Sequence, residues 1–212
     1  MKTSKRALSA PGATALFALA CILLSACGSG SSSSVSSTPS VAGSTQTSET
    51  GALAADARSA ATGDIPDNQN FLTYNNSSPR FAMIYPEGWT VKKVGGEVTF
   101  KDKNNLVRIV VAPGATPTPP AAQAQLAALK RSQPTLVSGA AHAIVLKSGP
   151  AVKLTYTTQS APNPVTGKSV TLMVDRYELA HGGQVATIDL GTPTGVDNVD
   201  AYKKMVASYR WG

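Results

Sequence analysis

The chain of 212 residues is poor in the side chains from which catalytic and metal sites are most often built. It contains two cysteines, Cys21 and Cys27, and two histidines, His142 and His181. Because no cysteine follows Cys27, the rest of the chain can form neither an internal disulfide nor a thiolate metal site. Neither a glycine-rich phosphate loop nor a Gly-x-Ser-x-Gly motif occurs. The sequence therefore predicts no catalytic residue, no bound metal and no cofactor.

Charged residues are also scarce, at 15% of the chain, and the formal net charge is +7. The basic residues form only short pairs, such as Lys92-Lys93, Lys130-Arg131 and Lys203-Lys204. A nucleic-acid interface needs a denser basic stripe with aromatic residues between the charges, so we expect no nucleic-acid partner. The mildly basic character fits either a dispersed, solubilising surface or an acidic partner or anionic lipid surface.

The longest apolar run, residues 13–24, is too short for a permanent transmembrane helix, which needs about 20 residues. It follows a basic segment, residues 1–6, in the order typical of a cleavable signal peptide. Leu24-Ser25-Ala26-Cys27 then resembles the lipobox of bacterial lipoproteins, an aliphatic residue and two small residues before a cysteine. The resemblance implies a signal peptide over residues 1–26 and lipid modification of Cys27. The protein is therefore expected on the extracytoplasmic face of the cell membrane, anchored by acyl chains.

Residues 27–67 are rich in serine, glycine, threonine and alanine. Such a segment cannot bury enough apolar surface to offset its ordering entropy, so we predict a flexible linker. Its root-mean-square reach is roughly 35 Å, which provides clearance from a membrane or wall, unless the segment is filler without a role. Residues 68–212 are then expected to form one folded domain, long enough to bury about two thirds of its unfolded surface.

Alternating apolar and polar residues predict a series of antiparallel strands in this domain. The clearest alternation places Val152, Leu154 and Tyr156 on one face of a strand. Gly182-Gly183 predicts a tight hairpin between the last two strands. The other candidate strands occupy residues 71–74, 81–85, 98–101, 106–111, 169–179 and 184–190.

Two helices are predicted within and after the strands. Pro119-Pro120 can occupy the first turn of a helix, where their missing N–H groups need no partner. Apolar residues then recur at helical spacing: Ala122, Leu126 and Leu129. A second helix begins near Asp197 with an apolar stripe made of Val199, Tyr202, Val206 and Tyr209. Strands and helices in this order predict an α+β fold with a twisted antiparallel sheet covered by helices.

Residues 81–89, Phe-Ala-Met-Ile-Tyr-Pro-Glu-Gly-Trp, resemble the signature of the PsbP-like family, related to the extrinsic subunit of photosystem II. Residues 98–102 and 205–211 resemble the strand that follows and the closing helix of that family. The resemblance implies an α-β-α sandwich with a central antiparallel sheet, and a non-enzymatic role as an accessory or assembly factor for other proteins. The turn within the motif returns Trp89 to the sheet, so Tyr85 and Trp89 are expected to be structural.

The few ionisable side chains of the domain offer weak candidates for chemistry. His142 and His181 lack metal-ligand spacing and are expected at the surface. Asp189 lies within an apolar strand, where pairing with a cation or hydrogen bonding to a loop is a better expectation than catalysis. The charged residues of the preceding strand are expected to form a solvated, charge-paired surface: Asp175, Arg176 and Glu178.

The connection from Thr158 to Lys168 is long for a hairpin loop. Since long loops often carry function, we predict a partner-binding edge there, with a solvated connector as the alternative. The residues that carry this prediction are Pro162, Asn163, Pro164 and Lys168.

Three functions are compatible with the sequence. The first is a lipid-anchored, extracytoplasmic accessory or scaffold protein that binds another envelope protein without being an enzyme. The second is a carrier of a lipid or another apolar ligand at the cell envelope. The third is a hydrolase that combines a histidine with Asp189. An apolar cavity open to solvent favours the carrier, and a cleft joining a histidine to Asp189 favours the hydrolase.

Overall fold

The computed structural model describes residues 63–163 and 165–212. The expected signal peptide, the lipidation site Cys27, the linker up to residue 62, and Pro164 lie outside the described residues. Ten strands and two helices are present within the described ranges. They are β1 (Phe71–Ser77), β2 (Arg80–Pro86), β3 (Thr90–Val94), β4 (Glu97–Asp102), β5 (Asn105–Pro113), α1 (Pro119–Ser132), β6 (Val137–Leu146), β7 (Gly149–Gln159), β8 (Thr171–His181), β9 (Gln184–Pro193), α2 (Val199–Ser208) and β10 (Arg210–Trp211).

The strands form two antiparallel sheets. The larger sheet has seven strands in the order β3-β4-β5-β9-β8-β7-β6, and the smaller has the order β1-β2-β10. Gly182 and Gly183 join β8 to β9 with φ angles of +57° and +74°, which confirms the predicted tight hairpin. The antiparallel sheet of an α+β fold is therefore confirmed.

Helix α1 begins and packs as its sequence predicts. The Thr118 hydroxyl accepts a hydrogen bond from the Ala121 amide at 3.4 Å, and Pro119 and Pro120 occupy the first two helical positions. Leu126, on the apolar side, is buried against the large sheet. Lys130 and Arg131 lie in the last turn, where they interact favourably with the helix dipole.

Helix α2 differs in detail from its predicted stripe. Tyr202 and Val206 are buried as expected, but Val199 is exposed and Tyr209 lies just after the helix ends. Met205, which the prediction omitted, is fully buried. Val199 is exposed because it is the first residue of the helix and lies one turn before the first buried residue, Tyr202.

The large sheet is covered on both faces, but in different halves. On one face, α2 and the small sheet pack against β4, β5 and β9. On the other face, α1 packs against β7 and β8. Strand β8 serves both cores, since Leu172 and Val174 join the α1 side while Leu179 joins the α2 side. The helices thus cover parts of the sheet, and the expected α-β-α layering is met only in part.

The motif at residues 81–89 contributes to the core on the α2 side. Gly88 has a φ of +89°, a conformation that glycine adopts readily and other residues rarely adopt. The next residue, Trp89, is buried in the core. The ring of Tyr85 packs against the ring of Phe100 with 5.0 Å between centroids. Tyr85 and Trp89 are therefore in structural contacts, as expected.

A buried cluster of neutral polar groups joins the start of the described chain to the domain. We call it the amide cluster; it consists of Gly63, Asn105, Thr192 and Asn198. The Asn198 amide donates to the Thr192 hydroxyl at 2.8 Å, to the Asn105 carbonyl oxygen at 3.1 Å and to the Gly63 carbonyl at 3.1 Å. Asn105 also donates to the Gly63 carbonyl. Each polar group in this cluster is therefore paired.

The domain begins earlier than its composition indicates. The Ile65 amide donates to the Asn198 side-chain oxygen at 2.8 Å, and the Ile65 side chain is buried in the core. Residues 63–67, which their composition assigns to the linker, therefore belong to the folded part. A single isoleucine and the amide cluster anchor this segment. In the described ranges, no helix combines the length and apolarity needed to span a bilayer.

Candidate functional site: an arginine-lined groove

A groove of about 360 Å³ lies where helix α1 ends and the uncovered half of the large sheet begins. Its walls include Leu129 and Gln133 from the last turn of α1, and Ser160 and Ala161 from the start of the β7–β8 loop. Strands β5, β8 and β9 contribute the floor and the opposite wall. The charged residues that line it are Lys101, Lys103, Arg108, Arg176 and Asp189.

Four of the groove residues form what we call the arginine cluster: Arg108, Tyr156, Arg176 and Asp189. Asp189 lies directly across from Arg108 on β5 and from Arg176 on β8. Arg176 donates to both carboxylate oxygens of Asp189, from Nε at 2.6 Å and from Nη2 at 2.9 Å. Arg108 donates to Asp189 from Nη1 at 3.3 Å. One buried carboxylate thus orients two guanidinium groups on neighbouring strands.

Tyr156 and Glu97 complete the contacts of the cluster. The Tyr156 hydroxyl lies 3.4 Å from an Asp189 oxygen and 3.4 Å from Nη2 of Arg176. Glu97 accepts from Nε of Arg108 at 2.7 Å, and both of these side chains are more than a third exposed. Arg176 and Asp189 are largely buried, so removal of either side chain would leave the charge of the other without a partner away from water.

The cluster holds a fixed charge at physiological pH. Burial raises the pKa of the Tyr156 hydroxyl to about 12, and the nearby charge of Asp189 adds to this. Burial disfavours the charge on Arg176, but the hydrogen bonds and charge of Asp189 outweigh it and raise the pKa of Arg176 above its usual range. Tyr156 can therefore serve as a hydrogen-bond donor, but it is a poor base near neutral pH.

The structure corrects the expected surface on strand β8. Arg176 and Glu178 are buried, with 9% and 1% of their surface exposed. Asp175 lies on the opposite face of the strand, where it accepts from the Thr155 hydroxyl at 2.6 Å and pairs with Lys153 at 2.8 Å. The prediction failed because the alternation of the strand separates Asp175 from Arg176. The partner of Arg176 is Asp189, on the next strand.

Glu178 is a buried carboxylate without a partner. Neither of its carboxylate oxygens has a hydrogen-bond partner within the described part of the chain. Burial raises the pKa of Glu178, while the charge of Arg176 lowers it to a smaller extent. The residue faces the α1 side of the sheet, across from Val152 on β7. It therefore costs stability at neutral pH and contributes no contact that we can assign to function.

The predicted partner-binding loop lies beside the groove, with its tip outside it. The Asn163 side-chain oxygen accepts from the backbone N–H groups of Val165 and Thr166 at 2.9 and 3.0 Å. The backbone N–H of Asn163 donates to the Lys168 carbonyl at 2.9 Å. Pro162, Asn163 and Lys168 are exposed, and Pro164 is outside the described residues. The structure therefore shows a compact turn whose base forms one wall of the groove.

The histidines do not join Asp189. His142 lies across from Lys153 on one face of the sheet, whereas Asp189 lies on the opposite face with Arg176. His181 is exposed, and its ring stacks on Trp211 with 5.6 Å between centroids. Asp189 itself is paired with two arginines. Among the described residues, no group of three histidine, cysteine, aspartate or glutamate side chains is placed to hold a metal ion.

Sequence reasoning identified Asp189 but missed its partners. The sequence predicts that Asp189 is satisfied within the fold, either by a cation or by hydrogen bonding to a loop, and the structure shows that two cations pair with it. Arg108 is 81 residues away in sequence and Tyr156 is 33 residues away, so no local pattern joins them. The one available signal was an ionisable residue inside an apolar strand, which requires a counter-charge from elsewhere in the sheet.

Comparison with known proteins gives structural neighbours only. No protein-family model matches the chain, and no curated protein matches it. The solution structure of cyanobacterial PsbP (CyanoP) from Synechocystis sp. PCC 6803 is similar, with 13% identity over 71% of this chain and 98% of that one, at a TM-score of 0.47.

Two further structures are similar. The Ran-binding protein Mog1p of Saccharomyces cerevisiae has 9% identity over 67% of this chain and 95% of that one, at a TM-score of 0.45. A protein from Bacteroides thetaiotaomicron VPI-5482 has 16% identity over 66% of this chain and 48% of that one, at a TM-score of 0.42. Similarity at this level describes the path of the chain and assigns neither family nor function.

Proposed function

We propose that this chain is a lipid-anchored, extracytoplasmic accessory protein whose PsbP-like α-β-α domain binds another envelope protein and performs no catalysis. The arginine-lined groove is the observation that carries the binding role. It is concave, its lining contains four cationic side chains and one anionic side chain, and its arginines are held by neighbours within the fold. Such preorganised positive charge favours an acidic partner.

The proposal of a non-enzymatic role is supported by how the groove residues are used. Asp189 is engaged by both arginines, and Tyr156 keeps its proton near neutral pH. A general base needs a free lone pair within reach of a substrate proton, and a carboxylate paired in this way is a weak one. The described groove therefore suits recognition better than proton transfer.

A carrier of an apolar ligand is the second candidate, and one observation favours it. Leu106, Leu129 and Leu172 form an apolar part of the groove wall. A volume of about 360 Å³ lies near the lower end for small-molecule sites, which hold about 300 to 1,000 Å³. The groove thus accommodates a few side chains more readily than the acyl chains of a membrane lipid.

In-cell photo-crosslinking of the full lipidated chain tests the binding role. A photoreactive amino acid at Ala161, an exposed residue of the groove wall, is expected to capture a protein. The same probe at Lys203, an exposed residue of α2, serves as the matched control and should not capture that protein. Adding Arg108→Gln to the Ala161 probe should reduce the capture. Equal capture at both positions, or recovery of lipid alone, contradicts the proposal.

Anchoring is tested by the two cysteines of the N-terminal segment. Cys27→Ser removes the thiol that accepts the lipid, so the protein should move from the membrane fraction to the soluble fraction. Cys21→Ser is the matched control, because it changes a cysteine of the expected signal peptide and should leave anchoring intact. A Cys27→Ser protein that is cleaved at the same bond and stays with the membrane contradicts lipid anchoring at this residue.

A further inference from the structure

We propose that the groove is a carboxylate-binding site centred on Arg108 and Arg176, and that its ligand is an acidic side chain flanked by apolar residues in a peptide segment. The inference rests on the proposed function, because it names the chemistry of the partner that the groove would bind. It is carried by the arrangement of hydrogen-bond donors in the arginine cluster.

The two guanidinium groups retain unused donors. Arg176 uses Nε and Nη2 for Asp189 and Tyr156, and Arg108 uses Nε for Glu97 and Nη1 for Asp189. Within the described ranges, Nη1 of Arg176 and Nη2 of Arg108 donate to no acceptor, and both side chains line the groove. Each of these nitrogens carries two N–H groups, so the site offers donors that the fold itself does not consume.

The charge of the groove fits a carboxylate. Asp189 is the one anion among the described lining residues and is shared by two arginines. Glu97 pairs with Arg108 from outside the lining, and Lys101 adds a further cation to the lining. Arginine presents a planar fork that matches the two oxygens of a carboxylate, and a buried carboxylate that already orients the fork reduces the entropy lost on binding. A ligand carboxylate between Arg108 and Arg176 would therefore bind to preorganised donors.

The shape and apolar lining favour a peptide over a lipid surface. The groove is concave, whereas binding to an anionic membrane requires only an exposed basic surface. Leu129 from α1 and Leu172 from β8 lie in the same groove as the arginines. An acidic residue next to an apolar residue would satisfy both parts of the lining, and the volume of about 360 Å³ matches a few side chains.

Fluorescence anisotropy with the full chain purified in detergent tests the inference. The probes are a labelled peptide of alternating leucine and glutamate and its counterpart with glutamine in place of glutamate. The glutamate peptide should bind about tenfold more tightly, and its affinity should fall as salt is raised. Arg108→Gln should weaken it about tenfold, and Arg108→Lys should restore part of the loss, because lysine keeps the charge without the fork.

Lys203→Gln is the matched control, since it removes one positive charge from α2 and should leave the affinity unchanged. Thermal unfolding of each variant shows that it is folded; Arg108 is suited to the test because it is partly exposed. Equal affinity for the two peptides, or unchanged affinity in Arg108→Gln, overturns the inference. So does displacement of the peptide by inorganic phosphate or by phosphatidylglycerol micelles as strong as that by unlabelled peptide.

The two proposals fail in different ways. If the glutamate peptide does not bind but the Ala161 probe still captures a protein in cells, the proposed function stands and the carboxylate site is wrong. If the peptide binds as expected but no protein is captured in cells, the site stands and the role as a protein-binding accessory factor is wrong.

Discussion

The amide cluster and the arginine cluster both draw residues from strands β5 and β9, but they differ in charge, in burial and in how many of their polar groups are paired. Strand β5 contributes Asn105 to one and Arg108 to the other, and β9 contributes Thr192 and Asp189 in the same way. Because the paired residues are three positions apart, the clusters lie on opposite faces of the sheet. One is neutral and buried, and its side-chain groups are paired; the other is charged, opens to a groove and keeps spare donors.

The difference shows how a polar group can be assigned to the fold or to recognition. Groups that are buried and fully hydrogen-bonded among themselves have nothing left to offer a ligand. Groups held in place by a buried partner, yet with donors that the fold leaves free, can still donate to a ligand. Variants of the two clusters separate these uses when stability and peptide binding are measured together.

The largest effect is expected at Asp189. Asp189→Ala leaves Arg176 buried without a counter-charge, so the free energy of unfolding should fall by about 3–5 kcal/mol in urea titrations. Glu97→Gln is the control, because it removes the other, partly exposed carboxylate partner of Arg108 and should cost about 1 kcal/mol or less. Similar losses in the two variants would show that burial does not distinguish these carboxylates.

A loss of about 2–3 kcal/mol is expected for Asn198→Ala, which removes one side chain that makes four hydrogen bonds in the amide cluster. The affinity for the glutamate peptide should be unchanged at a temperature where the variant is folded. Asn75→Ala, at an exposed position of β1, should change stability by about 0.5 kcal/mol or less. Weakened peptide binding in Asn198→Ala would contradict the separation of the two clusters.

A gain in stability is expected for Glu178→Gln, by about 1–2 kcal/mol at pH 7.5. Burial raises the pKa of Glu178 in the folded state above its ordinary value of 4.5, so the folded state binds the proton more tightly than the unfolded state does. The stability of the native protein therefore falls as pH rises from about 4.5 through the raised pKa. Glutamine lacks this penalty, because it is neutral at every pH.

The advantage of Glu178→Gln should accordingly shrink as pH is lowered toward 4.5, because the folded state, with its raised pKa, takes up the proton before the unfolded state does. Urea titrations of the two proteins at pH 7.5, 6 and 5 measure this trend. Glu87→Gln, at an exposed carboxylate, controls for the general effect of removing a negative charge. A constant difference at all three pH values would contradict the burial of an ionised Glu178.

The smallest effect is expected at the exposed pair of α2. Nζ of Lys203 lies 3.3 Å from Oδ1 of Asp200, and 92% of the Asp200 side chain and 68% of the Lys203 side chain are exposed. Lys203→Gln should change the free energy of unfolding by about 0.5 kcal/mol or less in the same urea titrations, since solvent and salt screen such a pair. A loss comparable with that of Asp189→Ala would contradict the expectation that exposure to solvent weakens this pair.

Most central strands could be predicted from sequence, while both edge strands of the large sheet were missed. Val152, Leu154 and Tyr156 alternate because β7 buries one face fully. Strands β3 and β6 are mostly exposed, so they need little apolar alternation and carry residues such as Lys92 and Gly139 instead. Edge strands form largely because a neighbour offers hydrogen bonds, which is information that their own residues do not contain.

The groove could be predicted only through Asp189. The residues Asp175, Arg176 and Glu178 are close in sequence and suggested a local charge network, but a strand places neighbours on opposite faces. The contacts that matter join β5, β8 and β9, and they depend on a register that sequence patterns alone do not specify. The N-terminal boundary was missed for the same reason, since Ile65 finds its partner at Asn198.

The attachment of Ile65 to Asn198 has a mechanical consequence. Any tension that reaches the domain along the preceding chain acts first on the hydrogen bonds of the amide cluster, at the start of helix α2. The groove lies on the other side of the sheet, so this load path bypasses it. Under the proposed lipid anchoring, tension from the membrane would therefore load the face of the sheet opposite the proposed binding groove.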